Sequence, residues 1–155
     1  MKKLTTLIAL ACISTILSLT SCGNKAVTAS IIQAYYQGAM HTFNSANGMY
    51  VYQSINYSSV LATEASTRDT LNLTFQGSNT GNYSLGTSST ATMSLIVGGK
   101  TYSSFNYGSY GSLNITDMNS STMVAKGNFD GTLYSNTLHD SLKVTQGIIS
   151  VRYQF

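Results

Sequence analysis

Few residues in this chain could do chemistry, and their spacing decides what each can do. His139-Asp140-Ser141 names the three members of a hydrolase triad. Neighbours on one strand or loop point in different directions and cannot converge on a reacting atom, so a polar turn is the reading that remains. The two histidines, His41 and His139, lie far apart in the sequence. They could join a carboxylate in a two-histidine site, but isolated histidines are mostly structural or solvated, so no metal ligand and no cofactor is expected. The five acids are Glu64, Asp69, Asp117, Asp130 and Asp140. All but Asp130 fall in or beside expected loops, where turn duty accounts for most of them. A glycosidase needs two carboxylates facing each other across a cleft, and nothing in the spacing pairs these. Phosphate-cradling glycine loops and zinc-binding helix motifs are absent from the sequence. No catalytic residue is expected. The alternative is a hydrolase acting on glycans or peptides, which two carboxylates within ~10 Å along one cleft would revive.

Binding chemistry has one better candidate. The stretch from Tyr102 to Tyr110 holds Tyr102, Phe105, Tyr107 and Tyr110 among Ser, Asn and Gly. If exposed, these rings make a platform on which sugar faces or peptide side chains stack, with Asn and Ser offering hydrogen bonds. If buried, they are cross-strand packing. Two tripeptides, Asp69-Thr70-Leu71 and Asp140-Ser141-Leu142, resemble the O-glycosylation acceptor of Bacteroides-like bacteria, which would make Thr70 and Ser141 modification sites.

The leader carries a different chemistry. Met1-Lys2-Lys3 is a basic start, Leu4 to Leu17 is an apolar run, and small residues follow. The run is short of the ~20 residues a spanning helix needs, and the layout is that of an export signal. Leu19-Thr20-Ser21-Cys22 is similar to the bacterial lipoprotein signal: Leu, two small residues, then Cys. The resemblance implies that the Cys22 sulfur receives a diacylglycerol, that the chain is cut before it, and that the new amine is acylated. Several acyl chains at ~0.8 kcal/mol per buried CH₂ anchor a protein stably. Gly23-Asn24-Lys25 lacks the Asp that resembles an inner-membrane retention signal and the acidic cluster that resembles a surface-export signal. An outer-membrane anchor facing the periplasm is therefore favoured, with surface exposure left open.

Removing residues 1–21 from the 155 leaves 134, enough for one domain that buries about two-thirds of its unfolded surface. Six Lys and Arg then face five acids, and a net charge near +1 gives no electrostatic case for nucleic acid or anionic lipid. Charged residues make up 8% of the chain against a usual ~25%, so Ser, Thr and Asn supply solubility. Eleven Tyr and five Phe provide a core. With Cys12 in the leader and Cys22 lipidated, the mature domain has no thiol for a disulfide or a metal.

The elements that must position these residues are strands. Residues 22–29 read as a tether and 30–155 as a single domain. Ser30 to Gln37 fits a helical face or a strand; its adjacent β-branched and aromatic residues favour strand, and His41 to Phe43 extends a hairpin past Gly38. Asn47-Gly48 is a turn signal. Met49 to Tyr57 alternates, whereas Ser58 to Asp69 lacks a clean period and reads as a loop. Leu71, Leu73 and Phe75 alternate with Asn72 and Thr74, as Ala91, Met93, Leu95 and Val97 do with Thr92 and Ser94. Gly98-Gly99 is a two-residue hairpin turn. Met123 to Tyr134 is a long strand whose Gly127 and Gly131 suggest bulges or close approach, and Gly147 interrupts the last one. Eight or nine short strands at regular spacing specify an all-β domain, an antiparallel β-sandwich with a small β-barrel as the alternative. The ending Val151-Arg152-Tyr153-Gln154-Phe155 resembles the terminal signal of outer-membrane barrels, although several strands are shorter than the ~9–11 residues such barrels need.

The second half also resembles a family. Gly81-Asn82-Tyr83-Ser84-Leu85-Gly86, then Gly111-Ser112-Leu113-Asn114-Ile115-Thr116, then Lys126-Gly127-Asn128-Phe129, then Val144-Thr145-Gln146-Gly147-Ile148-Ile149-Ser150-Val151-Arg152-Tyr153 is similar to a lipoprotein domain of unknown function common in Bacteroides-like bacteria. The resemblance spans roughly residues 81–155 and leaves 26–69 unplaced. It implies an anchored all-β domain with no known activity or catalytic residues. The expectation is a non-catalytic binding or structural module of the cell envelope, held to the membrane by lipid on Cys22, with a glycan or protein ligand.

Overall fold

The computed structural model describes residues 30–45, 47–137 and 140–155. The leader, Cys22 with its tether, and His139 lie outside the described residues. Among the described residues eleven strands follow one another, with one 3₁₀ turn at Gln53–Ile55. They are β1 (Ile31–Tyr36), β2 (Ala39–Asn44), β3 (Met49–Tyr52), β4 (Tyr57–Thr63), β5 (Thr70–Gln76) and β6 (Gly81–Leu85), then β7 (Ala91–Val97), β8 (Lys100–Ser103), β9 (Tyr110–Asn119), β10 (Val124–Ser135) and β11 (Ser141–Gln154). The all-β class and the mainly antiparallel pairing stand as expected. The strands number eleven rather than eight or nine, and hydrogen bonds join them into one sheet, in the order β2-β1-β11-β3-β4-β5-β7-β6-β9-β10-β8. Further pairings of β2 with β4, β10 with β11 and β7 with β8 close this sheet on itself. Two contacts are parallel, β11 with β3 and β6 with β7, and both are short.

Alternation builds the interior. Ile32, Ala34 and Tyr36 of β1, Leu71, Leu73 and Phe75 of β5, and Met93 and Leu95 of β7 are buried, while their sequence neighbours such as Asn72 and Ile96 face out. Each large apolar side chain so buried contributes about 1.5–3 kcal/mol. Residues expected as a loop, Ser58 to Thr63, form most of β4 instead. Its inward positions hold Ser58, Val60 and Ala62 while Leu61 faces solvent, so small inner residues hide the period. Ser58 is accommodated because its hydroxyl donates to the Gly77 carbonyl at 2.6 Å.

The long terminal strands carry bulges. Val144 pairs with Gly131 and Gly147 with Phe129, so β11 spends three steps where β10 spends two. The extra residue is Gln146, whose φ is 52°. One added residue switches the inward set from Leu142 and Val144 to Gly147, Ile149, Val151 and Tyr153. β11 therefore bends without breaking at Gly147. A Cβ there would lie 2.4 Å from the Phe129 carbonyl oxygen and 2.6 Å from its ring, so the Phe129 ring packs where only glycine leaves room. Gly127 and Gly131 likewise stand at register shifts of β10.

Candidate functional site

The aromatic stretch divides. Tyr102 lies on β8 with its ring inward, 5% exposed, and its hydroxyl donates to Asp140 Oδ2 at 2.7 Å. Lys100 Nζ donates to the same oxygen at 2.5 Å. These two hydrogen bonds hold the Asp140 carboxyl below the usual carboxylate range, and Asp140 in turn raises the Lys100 ammonium and the Tyr102 phenol. Tyr102 is thus a buried anchor and leaves the proposed platform, because β8 alternation turns it to the core. Phe105, Tyr107 and Tyr110 are 62%, 80% and 65% exposed.

Hydrogen bonds fix the loop that presents them. Ser109 Oγ donates to the Ser103 carbonyl at 2.9 Å and accepts from the Tyr134 amide at 2.9 Å. Asn106 Nδ2 donates to the Tyr134 carbonyl at 2.6 Å. Buried Ser104 exchanges bonds with Met93, its amide donating to the Met93 carbonyl and its hydroxyl accepting from the Met93 amide. Residues 101–116 contain no charged side chain; on the neighbouring β10, exposed Asp130 stands opposite Ser112, two positions along β9 from Tyr110.

A second constellation gathers where β2 and β4 part. These strands pair only at Asn44 and Thr63. Beyond that bridge, His41 of β2 faces the β4–β5 corner. Backbone bonds from Glu64 N to Asp69 O and from Arg68 N to Glu64 O, both 2.9 Å, shape the corner. His41 Nδ1 bonds Glu64 Oε2 at 2.8 Å, and Thr67 Oγ1 donates to the same oxygen at 2.7 Å. Tyr36 donates its hydroxyl to Asp69 Oδ2 at 2.8 Å, and the Gly98 amide donates to Asp69 Oδ1 at 3.2 Å. The Tyr36 and His41 rings stack with centroids 3.7 Å apart. Burial raises the Glu64 carboxyl, but hydrogen bonds from His41 and Thr67 outweigh it and leave the group below its ordinary range. Burial, with Asp69 beside it, pushes the Tyr36 hydroxyl far above the usual phenol range.

The sequence contains every member of this cluster without showing that they meet. The carboxylates that meet His41 come without the second histidine, from a corner 23 and more positions away. The His139-Asp140-Ser141 run does not form a site among the described residues: Asp140 is held by Lys100 and Tyr102, Ser141 begins β11 and is exposed, and His139 lies outside them. Asp117 and Asp130 lie on strands β9 and β10, and Ser112 Oγ donates to Asp130 at 2.7 Å. Thr70 is half-buried within β5, between buried Asp69 and Leu71, whereas Ser141 is open to solvent.

A family model, Domain of unknown function (DUF6252), matches residues 29–151, taking in β1 to β4 as well as the second half. No curated protein and no solved structure matches the chain.

Proposed function

The chain belongs to this DUF6252 family of domains of unknown function, and on that premise we propose that it is a non-catalytic binding module of a bacterial cell envelope, tethered by lipid on Cys22 and taking a neutral glycan on its Phe105–Tyr110 loop. The observation that carries the reading is the exposure of Phe105, Tyr107 and Tyr110 on a backbone held by Asn106, Ser109 and Tyr134. Large rings carried on a fixed backbone stack on flat apolar faces without a loop-ordering cost, so that only their own rotamer freedom is lost at binding. The absence of charge across residues 101–116 suits an uncharged sugar, and Asp130, opposite Ser112, supplies a carboxylate that accepts from hydroxyl groups. Catalysis has less support. Carboxylate oxygens of Glu64 and Asp69 lie within 4.8 Å of each other, but the side chains face an enclosed seam at the end of β4, 12% and 5% exposed, and not an open cleft where a substrate could pass between them. The membrane-barrel reading is also weaker, because outward positions such as Asn72, Lys126, Asn128, Lys143 and Arg152 are polar where lipid would need an apolar band.

The test is a glycan screen on the full protein, followed by titration of the strongest ligand against Phe105→Ala, Tyr107→Ala and Tyr110→Ala. Loss of at least one of these rings should cost more than about fivefold in affinity and leave unfolding within about 0.5 kcal/mol of the parent. No glycan binding, or binding indifferent to all three rings, rejects the ligand assignment. Cys22→Ser should abolish processing and membrane fractionation; unchanged fractionation rejects the anchor. An intact mass equal to polypeptide plus lipid would exclude glycan on Thr70 and Ser141.

A further inference from the structure

We infer that His41, Glu64 and Asp69 form a site for one divalent transition-metal cation of the zinc class, tying β2 to the β4–β5 corner. One ring nitrogen of His41 and one carboxylate oxygen from each acid lie within 4.8 Å of one another. Zinc bonds of about 2.0–2.2 Å place neighbouring ligands roughly 3.4 Å apart, a closure that side-chain rotation supplies. Charge favours a cation. Two acids face one imidazole, and among the described residues no Lys or Arg pairs with either acid. Geometry puts the ion on the Nδ1 side of the ring. His41 Nδ1 and Glu64 Oε2 already stand 2.8 Å apart, so a cation there displaces the proton between them and leaves the ring proton on Nε2. Nε2 points away from Glu64, is buried without a hydrogen-bond partner among the described residues, and takes no part in the site.

The ligand set selects the metal. Calcium and magnesium take all-oxygen shells, whereas one imidazole nitrogen with two carboxylates suits zinc and its neighbours. Stacking of Tyr36 on His41 and the hydroxyl bond from Tyr36 to Asp69 hold two of the three ligands in place before any ion arrives. The protein ligands number three, so a fourth position would be filled by water.

The experiment uses the untagged full chain, stripped with EDTA, dialysed and titrated with Co²⁺ and then Zn²⁺. One Co²⁺ per chain, a visible absorption band of low-coordinate cobalt and its displacement by Zn²⁺ are expected. His41→Gln, Glu64→Gln and Asp69→Asn should each weaken binding at least tenfold, whereas His139→Gln should leave it unchanged. Should a variant fail to fold, the parent still decides: Zn²⁺ should shift the ring nitrogen resonances of His41 and not those of His139. Absence of one-to-one binding below 100 μM, retention of binding in folded His41→Gln, or an unmoved His41 resonance overturns the site.

Discussion

Replacing Tyr36 by Phe removes one oxygen and tests whether side chains close the seam where the backbone ladder does not. The Tyr36 ring is fully enclosed, Asp69 is 5% exposed, and the hydroxyl reaches Asp69 Oδ2 at 2.8 Å. Phe keeps the ring, its stack on His41 and its contact with Phe43, so packing is preserved. What is lost is a hydrogen bond to a charged acceptor, about 1.5–3 kcal/mol, with the acceptor left buried and short of a partner. Asp69 retains the Gly98 amide on its other oxygen, so about 2 kcal/mol is the expected cost. With a urea slope of about 2 kcal/mol/M the midpoint falls by roughly 1 M at unchanged slope, and the melting temperature by about 6–12 °C. The measurement is made in EDTA, so a bound cation cannot mask it. Tyr83→Phe is the control, because its hydroxyl donates to the solvent-exposed Asn79 carbonyl at 2.8 Å and water can replace it. That variant should lose less than about 0.5 kcal/mol. If Tyr36→Phe loses no more than Tyr83→Phe, the seam is not held by this bond and the account of β2 and β4 is wrong.

Two further outcomes can be measured on the same apparatus. Gly147→Ala places a methyl 2.4 Å from the Phe129 carbonyl oxygen and 2.6 Å from its ring; because backbone must move, the loss should reach about 3 kcal/mol, the upper end for overpacking, and a loss under about 1 kcal/mol in urea unfolding would show that β10 and β11 have slack. The folded Glu64 carboxyl lies below its ordinary range, so its contribution is present above the unfolded pKa of about 4.3 and fades as pH falls through and below that value. Glu64→Gln should therefore trail the parent at pH 7 and converge on it towards pH 3, and a gap that stays constant with pH refutes the ionic origin of that contribution.

Much of the interior was legible because alternation survives wherever inward residues are large. Leu71-Leu73-Phe75 and Ala91-Met93-Leu95-Val97 face the core as their spacing indicates. The Gly98-Gly99 turn also forms, with both residues at positive φ, 56° and 81°. The pattern fails where size and polarity part company. β4 turns Ser58 and Ala62 inward and Leu61 outward, so hydrophobicity there reports the wrong face. In β11 a single left-handed residue, Gln146, reverses the parity halfway along, and no local pattern can follow an alternation that changes phase. Joining the strands into one sheet depended on long-range ladders, β1 with β11 above all, which carry no signal of their own in a single sequence.

The polar seam was half legible, and the half that was missed explains the rest. Tyr36 continues the inward series Ile32 and Ala34; His41 shares the parity of Phe43; Glu64 follows Val60 and Ala62; Asp69 precedes Leu71, Leu73 and Phe75 at the same two-residue step. Each of the four is therefore an inward position at the end of an apolar face, readable strand by strand once the strands are known. An inward acid or histidine is stable only beside a partner, so His41, Glu64 and Asp69, with the inward hydroxyl of Tyr36, imply that these faces converge. Which ends converge is fixed by the β1–β2 hairpin register, Ala34 opposite His41, and by the β4–β5 register, Thr63 opposite Thr70. The single Asn44–Thr63 bridge sets the two hairpins side by side. Thr63 ends β4, so beyond that bridge β2 faces the β4–β5 turn and the chain must close its interior there without a backbone ladder. Polar side chains that reach across do so, at the cost of leaving one imidazole nitrogen with nothing to bind.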